Sequence, residues 1–293
     1  MTKREKLESA MRKAENRAIA VARRRDFYSA FARTHKEFLA DIVAWYKRHM
    51  PLPDYPVFKL PIYYEDKRDK EIAAVAASLL PFGANYDELH TLIGNHPWQW
   101  FIERNFVLLG LGTEQDKRTS GCPNWRISSL MNNFLKVVKK YDAESIGEAV
   151  FKDAWSRGLT IENTLMRCYK DEGADAGRCD ARLLMLAMSG HDMLGQGVWD
   201  IKDPLHCPLP EKIEGYLRMW IPDPRSYGTL DDCVDLFGLN AGDFLLSYFG
   251  YFALGAMMPR DFRNYANRHA KWYSEGLVKE RNIWRRFMPK IPD

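Results

Sequence analysis

The stretch Glu65–Leu80, EDKRDKEIAAVAASLL, joins seven consecutive charged residues to a nearly all-apolar segment. Residues 72–80 are apolar except for Ser78, so the pattern predicts a helix that is buried on most sides. Pro81 and Gly83 favour its end at that point. At the start of a helix, acids accept hydrogen bonds from free backbone N–H groups, and the same groups bind phosphates. The charged run is therefore open to two interpretations, helix capping and anion binding.

Helical signals continue on both sides of this stretch. Apolar residues recur at helical spacing from Ala18 to Met50, and the Pro-rich segment PLPDYPVFKLP (51–61) is expected to form an extended connection. Thr229 and Asn240 are each expected to cap a helix. No sustained period-2 alternation is present, so the fold class is predicted to be all-α. Further helices are predicted at 85–93, 97–104, 125–140, 144–156, 160–170 and 178–190, and two basic helices from about Arg260 and Val278.

Length and composition exclude several classes of protein. The chain has 293 residues, 46% of them hydrophobic, which is enough for a substantial core. It contains no run of about 18 apolar residues and no apolar stretch behind its first charges, so neither a membrane span nor a secretory signal is predicted. The five cysteines lie far apart, which favours reduced thiols over disulfides or a metal site. We expect a soluble cytoplasmic protein.

Basic residues are concentrated at the two ends of the chain. Residues 1–25 carry nine Lys and Arg against three acids, and residues 259–293 carry nine against four. Because the whole chain has a net charge of +4, the remainder has a net charge of about −7. Clustered Lys and Arg neutralise phosphates and release counterions, so these ends are expected to contact DNA or RNA. The alternative is two solvated helices without a partner.

Two other segments contain residue types that are common in functional sites. Cys207-Pro208-Leu209-Pro210-Glu211-Lys212-Ile213 opens a predicted helix, where a Glu–Lys pair could supply a base and a phosphate contact. The aromatic segment His96-Pro97-Trp98-Gln99-Trp100-Phe101 is more typical of a core than of a base-stacking surface. No P-loop is present, so a kinase or an NTPase is not expected. A dinucleotide fingerprint, an H-E-x-x-H motif and a nucleophile elbow are absent too.

In order along the chain, these segments resemble a family of helical proteins similar to helix-hairpin-helix DNA glycosylases. The resemblance covers roughly residues 55–257. It implies a glycosylase-like helical domain at 51–258, preceded by a basic helical segment at 1–50 and followed by basic helices at 259–293. The matching residues are Asp66–Asp69 with Glu71–Ala73, Phe82-Gly83, Pro97–Phe101, Arg182-Leu183, Gly197–Trp199, Cys207–Leu209 and Asp243-Phe244 through Gly255.

The chain departs from the glycosylase pattern at the positions that matter for base excision. The pattern P-L-D-x-H-V places an Asp where this chain has Pro210, the family's Lys falls on Ala181, and no Gly-rich hairpin of the L-P-G-V-G type is present. Such a chain is more similar to one branch, the bacteriophage amino acid:DNA transferases (glutamyl/putrescinyl thymine pyrophosphorylases). The resemblance implies that an amino acid or polyamine displaces pyrophosphate from a pyrophosphorylated 5-hydroxymethyluracil in double-stranded DNA, in the cytoplasm of a bacterial host.

The implied reaction suggests a role for each charged candidate. Basic residues would stabilise the leaving pyrophosphate and contact DNA, and carboxylates would act as base or recognise the amine. No resident cofactor or metal is expected, although Mg²⁺ accompanying the pyrophosphate is compatible with the reaction. A glycosylase or lyase using Glu211, a non-catalytic nucleic-acid-binding module and an unrelated all-α fold stay open, as does the oligomeric state. The basic candidates are Lys67, Arg68, Lys70 and Lys212, and the acidic ones are Asp66, Asp69, Glu211 and Asp243.

Overall fold

The computed structural model is helical throughout most of the part of the chain that it describes. Within that part the only sheet is an antiparallel pair of two-residue strands, β1 (Arg118–Thr119) and β2 (Cys122–Pro123). The predicted all-α class is therefore confirmed. The described residues are 11–15, 19, 36–37, 39–209, 211–221 and 229–253, so the two predicted C-terminal basic helices and most of the basic segment 1–25 lie outside them.

The chain forms two compact units, one of residues 50–210 and one of residues 1–49 with 211–293. The division expected from the sequence places residues 211–258 in one domain with residues 51–210. That division stays a prediction. The helices are α1 (39–49), α2 (Pro56–Lys59), α3 (Lys67–Ala77), α4 (Asp87–Ile93), α5 (Pro97–Ile102), α6 (Asn124–Lys140), α7 (Ile146–Arg157), α8 (Ile161–Cys168), α9 (Ala174–Met188), α10 (Glu211–Trp220), α11 (Leu230–Asp235) and α12 (Ala241–Ala253).

Helix α3 is the centre of the unit 50–210. It packs against α2, α4, α5, α6, α7 and α9, and every residue from Ile72 to Ala77 is fully buried. Four of those six residues are alanine, and small side chains allow the axes of neighbouring helices to approach closely. The buried helix predicted at 72–80 is confirmed, but it begins earlier, at Lys67, and ends earlier, at Ala77.

Three of the four acids in the charged run, Asp66, Asp69 and Glu71, each accept backbone N–H groups at the start of a different helix. Asp66 caps α3 by accepting from the backbone N–H of Arg68 at 2.8 Å. Asp69 accepts from Trp98 in the first turn of α5 at 2.7 Å. Glu71 accepts from Ile146 and Gly147 in the first turn of α7, at 2.8 and 3.1 Å. The charged run therefore stabilises the starts of three helices. This confirms the capping interpretation of the run.

Arg182 of α9 contacts two other segments of the same unit, α8 and the residues around Cys207. It is 7% exposed and lies in α9, its Nη2 is 3.1 Å from a carboxylate oxygen of Glu162 in α8, and its Nη1 donates to the carbonyl oxygen of Cys207 at 3.1 Å. A buried guanidinium requires such partners, because an unpaired buried charge is strongly destabilising. The Arg182 position in the family-like pattern therefore has a structural role here.

The described part of the other unit contains α1, α10, α11 and α12. In α1 the buried residues Leu39, Ile42, Val43 and Tyr46 follow one helical face. Gly250 of α12 lies against this face, since a Cβ there would be 2.6 Å from Cγ2 of Ile42. Tyr216 of α10 packs on aromatic rings of α12 and donates to Oγ of Ser247 at 3.2 Å, and its ring neighbours in this cluster are Trp220, Phe244, Tyr248 and Tyr251.

Two predicted caps in this unit are confirmed. Thr229 and Asp232 form a capping box at the start of α11, in which each side chain accepts from the other residue's backbone N–H. Asn240 caps α12 by accepting from the backbone N–H of Asp243 at 2.8 Å. These caps depend only on residues three apart in sequence, so they are readable from the sequence alone.

The prediction of an extended connection at 51–61 holds for residues 51–55, which lie outside helices, and is wrong for residues 56–61. The segment contains α2 and a 3-10 helix, Leu60–Tyr63, each with a proline in its first turn. Proline is favoured there because the N–H groups of the first turn have no acceptor within the helix, so the N–H that proline lacks is not needed. Its fixed φ also suits a helix. The prediction considers only the helix-breaking effect of proline. In the structure, Pro56 and Pro61 each lie in the first turn of a helix.

The cysteines agree with the sequence-based expectation of reduced thiols. All five cysteines are free thiols, and four of them are buried. Burial raises the pKa of the Cys122 thiol to about 11, so it stays protonated at neutral pH. Among the described residues, none of the helices combines the length and the apolar character needed to cross a membrane.

Candidate functional site

A cavity of about 680 Å³ opens at the start of α3, within the unit 50–210. Its wall combines carboxylates, one guanidinium, two imidazoles and three larger aromatic rings. It is built from the charged run, the residues just before it, the end of α4 and the beginning of α5. The lining residues are Tyr63, Tyr64, Glu65, Asp66, Arg68, Asp69, His90, Asn95, His96, Trp98 and Gln99.

Asp66 and Arg68 form an ion pair in this wall. Nε of Arg68 lies 3.3 Å from Oδ1 of Asp66, and Nη2 lies 3.3 Å from Oδ2. The guanidinium also lies over the Trp98 ring, 5.8 Å from its centroid. Hydrogen bonds from Arg68 lower the pKa of Asp66, and the same pairing raises the pKa of Arg68. Both groups therefore stay charged over a wide pH range, and Asp66 is a weak base.

Asp69 is the most buried carboxylate of the cavity. It is 9% exposed, and its Oδ1 holds the backbone N–H of Trp98. Its negative charge adds to the effect of burial in raising the pKa of the Tyr64 hydroxyl well above its usual value. Asp69 thus joins the charged run to the aromatic segment 96–101, which is far from it in sequence. Of the acids in the run, it is the one best placed to act on a ligand inside the cavity.

Aromatic rings form another part of the wall. The Tyr63 and His90 ring centroids are 5.2 Å apart with an interplanar angle of 33°, and the Tyr64 ring meets His90 edge-on at 5.8 Å. The hydroxyl of Tyr64 donates to the carbonyl oxygen of Gly94 at 3.0 Å, which holds that ring in place. Tyr63 remains 62% exposed. A large aromatic side chain this exposed, yet supported by other rings, is a surface suited to ligand contact.

Glu71 lies behind this wall, in the core. Its Oε2 accepts from Ile146, and its Oε1 accepts both from Gly147 and from the indole N–H of Trp199, the latter at 2.7 Å. Burial raises the pKa of Glu71 to about 7, while the three donors act to lower it. Two segments of the family-like pattern, the charged run and Gly197–Trp199, therefore meet in one buried hydrogen-bond network.

The basic residues of the run are placed differently from one another. Arg68 lines the cavity, whereas Lys67 is exposed and Lys70 is half-buried on the same turns of α3. Because Asp66 occupies the first-turn N–H of Arg68, an anion at this end of α3 would be held by side chains rather than by that N–H. Lys67, Arg68 and Lys70 remain the candidates for contact with pyrophosphate or DNA.

The other sequence-predicted residues belong to the second unit. Glu211 and Lys212 begin α10, and their side chains lie outside what the structure describes. Asp243, in the first turn of α12, lies 2.7 Å from Nζ of Lys47 and accepts from Nδ2 of Asn240 at 2.9 Å. Asp243 therefore has a structural role in its own unit. A shared role for these three residues with the charged run stays a prediction.

Sequence reasoning missed several cavity residues. Tyr63, Tyr64 and His90 belong to no recognisable motif, because neither their spacing nor their composition forms one. The aromatic segment 96–101 is predicted to lie in the core. That prediction is confirmed for Trp100 and Phe101, which are buried, whereas Trp98 is half-buried in the cavity wall. The adjacency of Tyr63-Tyr64 to the charged run was the one available signal.

No family model, no curated protein and no solved structure matches this chain.

Proposed function

We propose that the protein is a DNA-modifying transferase of the amino acid:DNA transferase type, on a glycosylase-like helical scaffold. Its substrate would be double-stranded DNA carrying 5-(pyrophosphoryloxymethyl)uracil, and its second substrate an amino acid or amine. It would act in the cytoplasm of a bacterial host. The observation that supports this proposal is the cavity. Residues of Asp66–Ala73, the most specific segment of the resemblance, and residues of Pro97–Phe101 contribute to its wall.

The reaction needs a group that stabilises departing pyrophosphate and a group that accepts a proton. The amine nitrogen forms a bond to the exocyclic methylene carbon while the bond from that carbon to the pyrophosphate oxygen breaks. Pyrophosphate leaves with the electron pair, and the nitrogen loses a proton to a base. Arg68 is the cation of the cavity, with Lys67 and Lys70 beside it on α3, and these groups would stabilise the charge that develops on the leaving oxygen.

Asp69 is the best candidate for the base. Asp66 has a lowered pKa and is paired with Arg68, so it is less able to take a proton. Asp69 is buried in the cavity wall, where low solvent access strengthens its interaction with a nearby ammonium. Glu211, Lys212 and Asp243 remain candidates for a contribution from the second unit. Mg²⁺ bound to the pyrophosphate itself is compatible with this reaction.

The proposal is tested with a duplex carrying one pyrophosphorylated base, incubated with the protein and a mixture of amines. Released pyrophosphate and the nucleoside masses are both measured. Arg68→Ala should lower the rate of transfer by about 100-fold or more, the magnitude typical for loss of one group that stabilises transition-state charge. Arg178→Ala is the matched control, because Arg178 is an exposed arginine of α9 in the same unit.

The outcomes separate the candidate functions. Transfer that depends on Arg68 and not on Arg178 supports the transferase at this cavity. Loss of the base to an abasic site would indicate the glycosylase or lyase instead. Binding of DNA with no change in the nucleosides would indicate a nucleic-acid-binding module. Equal transfer rates in wild type and Arg68→Ala would exclude Arg68 from the reaction.

A further inference from the structure

One face of α6 carries a line of polar residues that joins two neighbouring helices. Asn133, Lys136 and Lys140 are three and four positions apart, so they lie one after another along this face. The amide of Asn133 donates to Oδ2 of Asp171, just after α8, at 3.2 Å. Nζ of Lys140 donates to Oδ1 of Asp153 in α7 at 2.8 Å. The line therefore runs from the end of α8 to the second half of α7.

Cations outnumber carboxylates at the α7 end of this line. Nε of Arg157 donates to the same oxygen of Asp153 as Lys140 does, at 2.9 Å, and the Tyr141 hydroxyl donates to it at 2.6 Å. Burial acts to raise the pKa of Asp153, but the hydrogen bonds from Lys140, Tyr141 and Arg157 lower it well below its usual value. Asp153 is therefore ionised at neutral pH, and two cations share one carboxylate.

The α8 end has a similar excess of positive charge. Hydrogen bonds from two side chains of α6 lower the pKa of Asp171, and the charges of Lys170 and Lys136 act in the same direction. Lys136, Arg167 and Lys170 are exposed, and none of the three forms an ion pair with another described residue. Five cations thus accompany two carboxylates, and a surface of this sign attracts a polyanion. We call these cations the basic stripe: Lys136, Lys140, Arg157, Arg167 and Lys170.

An indole ring is exposed at the α7 end of the basic stripe. Trp155 is 88% exposed, the largest value among the large apolar residues of the described part of the chain. The next residue, Ser156, is hydrogen-bonded to the hydroxyl of Tyr141 at 2.6 Å, and Nζ of Lys140 lies 4.3 Å from the centroid of the Tyr141 ring. Aromatic and basic side chains therefore alternate at this end. None of them lines the cavity at the start of α3.

We infer that this face binds single-stranded nucleic acid, with the phosphates along the basic stripe and an unpaired base stacked on Trp155. The excess of cations supplies the attraction for the phosphates. A base offers its flat face to an indole only outside a duplex, because neighbouring base pairs cover both faces within one. A basic surface with aromatic side chains beside it is typical of proteins that bind single strands. The inference goes beyond the proposed function, since it requires no reaction in the cavity.

Binding is measured by fluorescence anisotropy with a labelled single-stranded DNA of about 12 nucleotides, the RNA of the same sequence, and the duplex DNA. Trp155→Ala should weaken single-strand binding by about tenfold, because the base loses its stacking partner, and should leave duplex binding unchanged. Trp155→Phe keeps a ring and should retain most of the affinity. Because the side chain of Trp155 is almost fully exposed, both variants should fold. The single strand that binds more tightly distinguishes DNA from RNA as the ligand.

The role of the basic stripe is tested through the salt dependence of single-strand binding. Each phosphate contact contributes about 0.7 to the slope of the logarithm of affinity against the logarithm of salt concentration. Replacing both Lys136 and Lys170 by Ala should therefore reduce this slope by about 1.4. Replacing both Lys117 and Lys202 by Ala is the matched control, because it removes two exposed lysines of the same unit that lie outside the stripe. The control should keep the wild-type slope.

Several results would overturn the inference. Unchanged single-strand affinity in Trp155→Ala, or an equal loss for the duplex, would exclude stacking on Trp155. Equal slopes in the two double variants would exclude phosphate contact by the stripe. Binding to anionic lipid vesicles that depends on Trp155, while single-strand binding does not, would assign the face to a membrane surface instead. Single-strand binding that depends on Trp155, without any transfer to DNA, would refute the proposed function and support this inference.

Discussion

Replacing Glu71 by Ala tests whether the charged run organises the core of the unit 50–210. The substitution leaves the backbone N–H groups of Ile146 and Gly147 and the indole N–H of Trp199 without their acceptor. A buried donor without a partner costs about 1–3 kcal/mol. Water entering the vacated space would satisfy some of these donors, so we expect a loss of about 4 kcal/mol in the free energy of unfolding.

Replacing Glu71 by Gln gives an intermediate result and identifies the donors involved. A Gln oxygen at the position of Oε1 keeps the bonds from Gly147 and Trp199, while the amide nitrogen faces the N–H of Ile146 and cannot accept from it. We expect a loss of about 1–3 kcal/mol for this one unsatisfied donor. The exposed Asp200→Asn substitution is the control and should leave the free energy of unfolding unchanged.

Native-state hydrogen exchange is the appropriate assay, because the chain has two compact units and a single unfolding curve would mix them. The amides of Ile146 and Gly147 should lose protection in Glu71→Ala, together with the rest of α7. In Glu71→Gln the loss should be largest at Ile146. Protection at these amides that changes by less than about 1 kcal/mol in Glu71→Ala would refute the view that this carboxylate holds the start of α7.

The same residue makes stability depend on pH. Burial raises the pKa of Glu71 from 4.5 to about 7 in the folded protein. An acid whose pKa is raised by folding binds more protons in the folded state between these two values, so stability falls as the pH rises from 4.5 to 7. A shift of this size corresponds to about 3 kcal/mol, present in full below pH 4.5 and lost above pH 7. The difference between wild type and Glu71→Gln should follow this curve in exchange measurements at several pH values, and a flat difference would contradict it.

Three further predictions concern other parts of the chain. Gly147→Ala places a Cβ 2.5 Å from Nε1 of Trp199, so it should destabilise by about 2 kcal/mol despite the better helix propensity of alanine, whereas unchanged exchange protection would contradict this packing. Thr229→Ala removes one half of the capping box and should cost about 1 kcal/mol in urea unfolding, while Thr229→Ser should restore the cap. Affinity for duplex DNA should fall steeply between 50 and 200 mM salt if residues 1–25 and 259–290 contact phosphates, and a flat response would exclude that contact.

Features that depend on local sequence were predictable. The buried helix after the charged run, the cap by Thr229 and the cap by Asn240 each rest on residues within one or two turns of helix. The prediction for the segment 51–61 is wrong from residue 56 onward, and the reason is local as well, because a proline breaks a helix in its interior and favours one at its start. Only the surrounding residues decide between these two effects.

Features that depend on contacts distant in sequence were not predictable. Trp199 donates to Glu71 across 128 positions, and Trp98 donates to Asp69 across 29. No periodicity reports such contacts, because they depend on how helices pack after they form. The cavity is another consequence of packing, so its carboxylates could be proposed from the charged run while Tyr63 and His90 could not.

The most direct test of the proposed function is mass spectrometry of nucleosides from DNA carrying pyrophosphorylated 5-hydroxymethyluracil, after incubation with the protein and a mixture of amino acids and amines. We expect a new nucleoside in which the pyrophosphate is replaced by one amino acid or amine. Nucleosides identical to those of the untreated DNA, or an abasic site in place of the modified base, would contradict the assignment as a transferase.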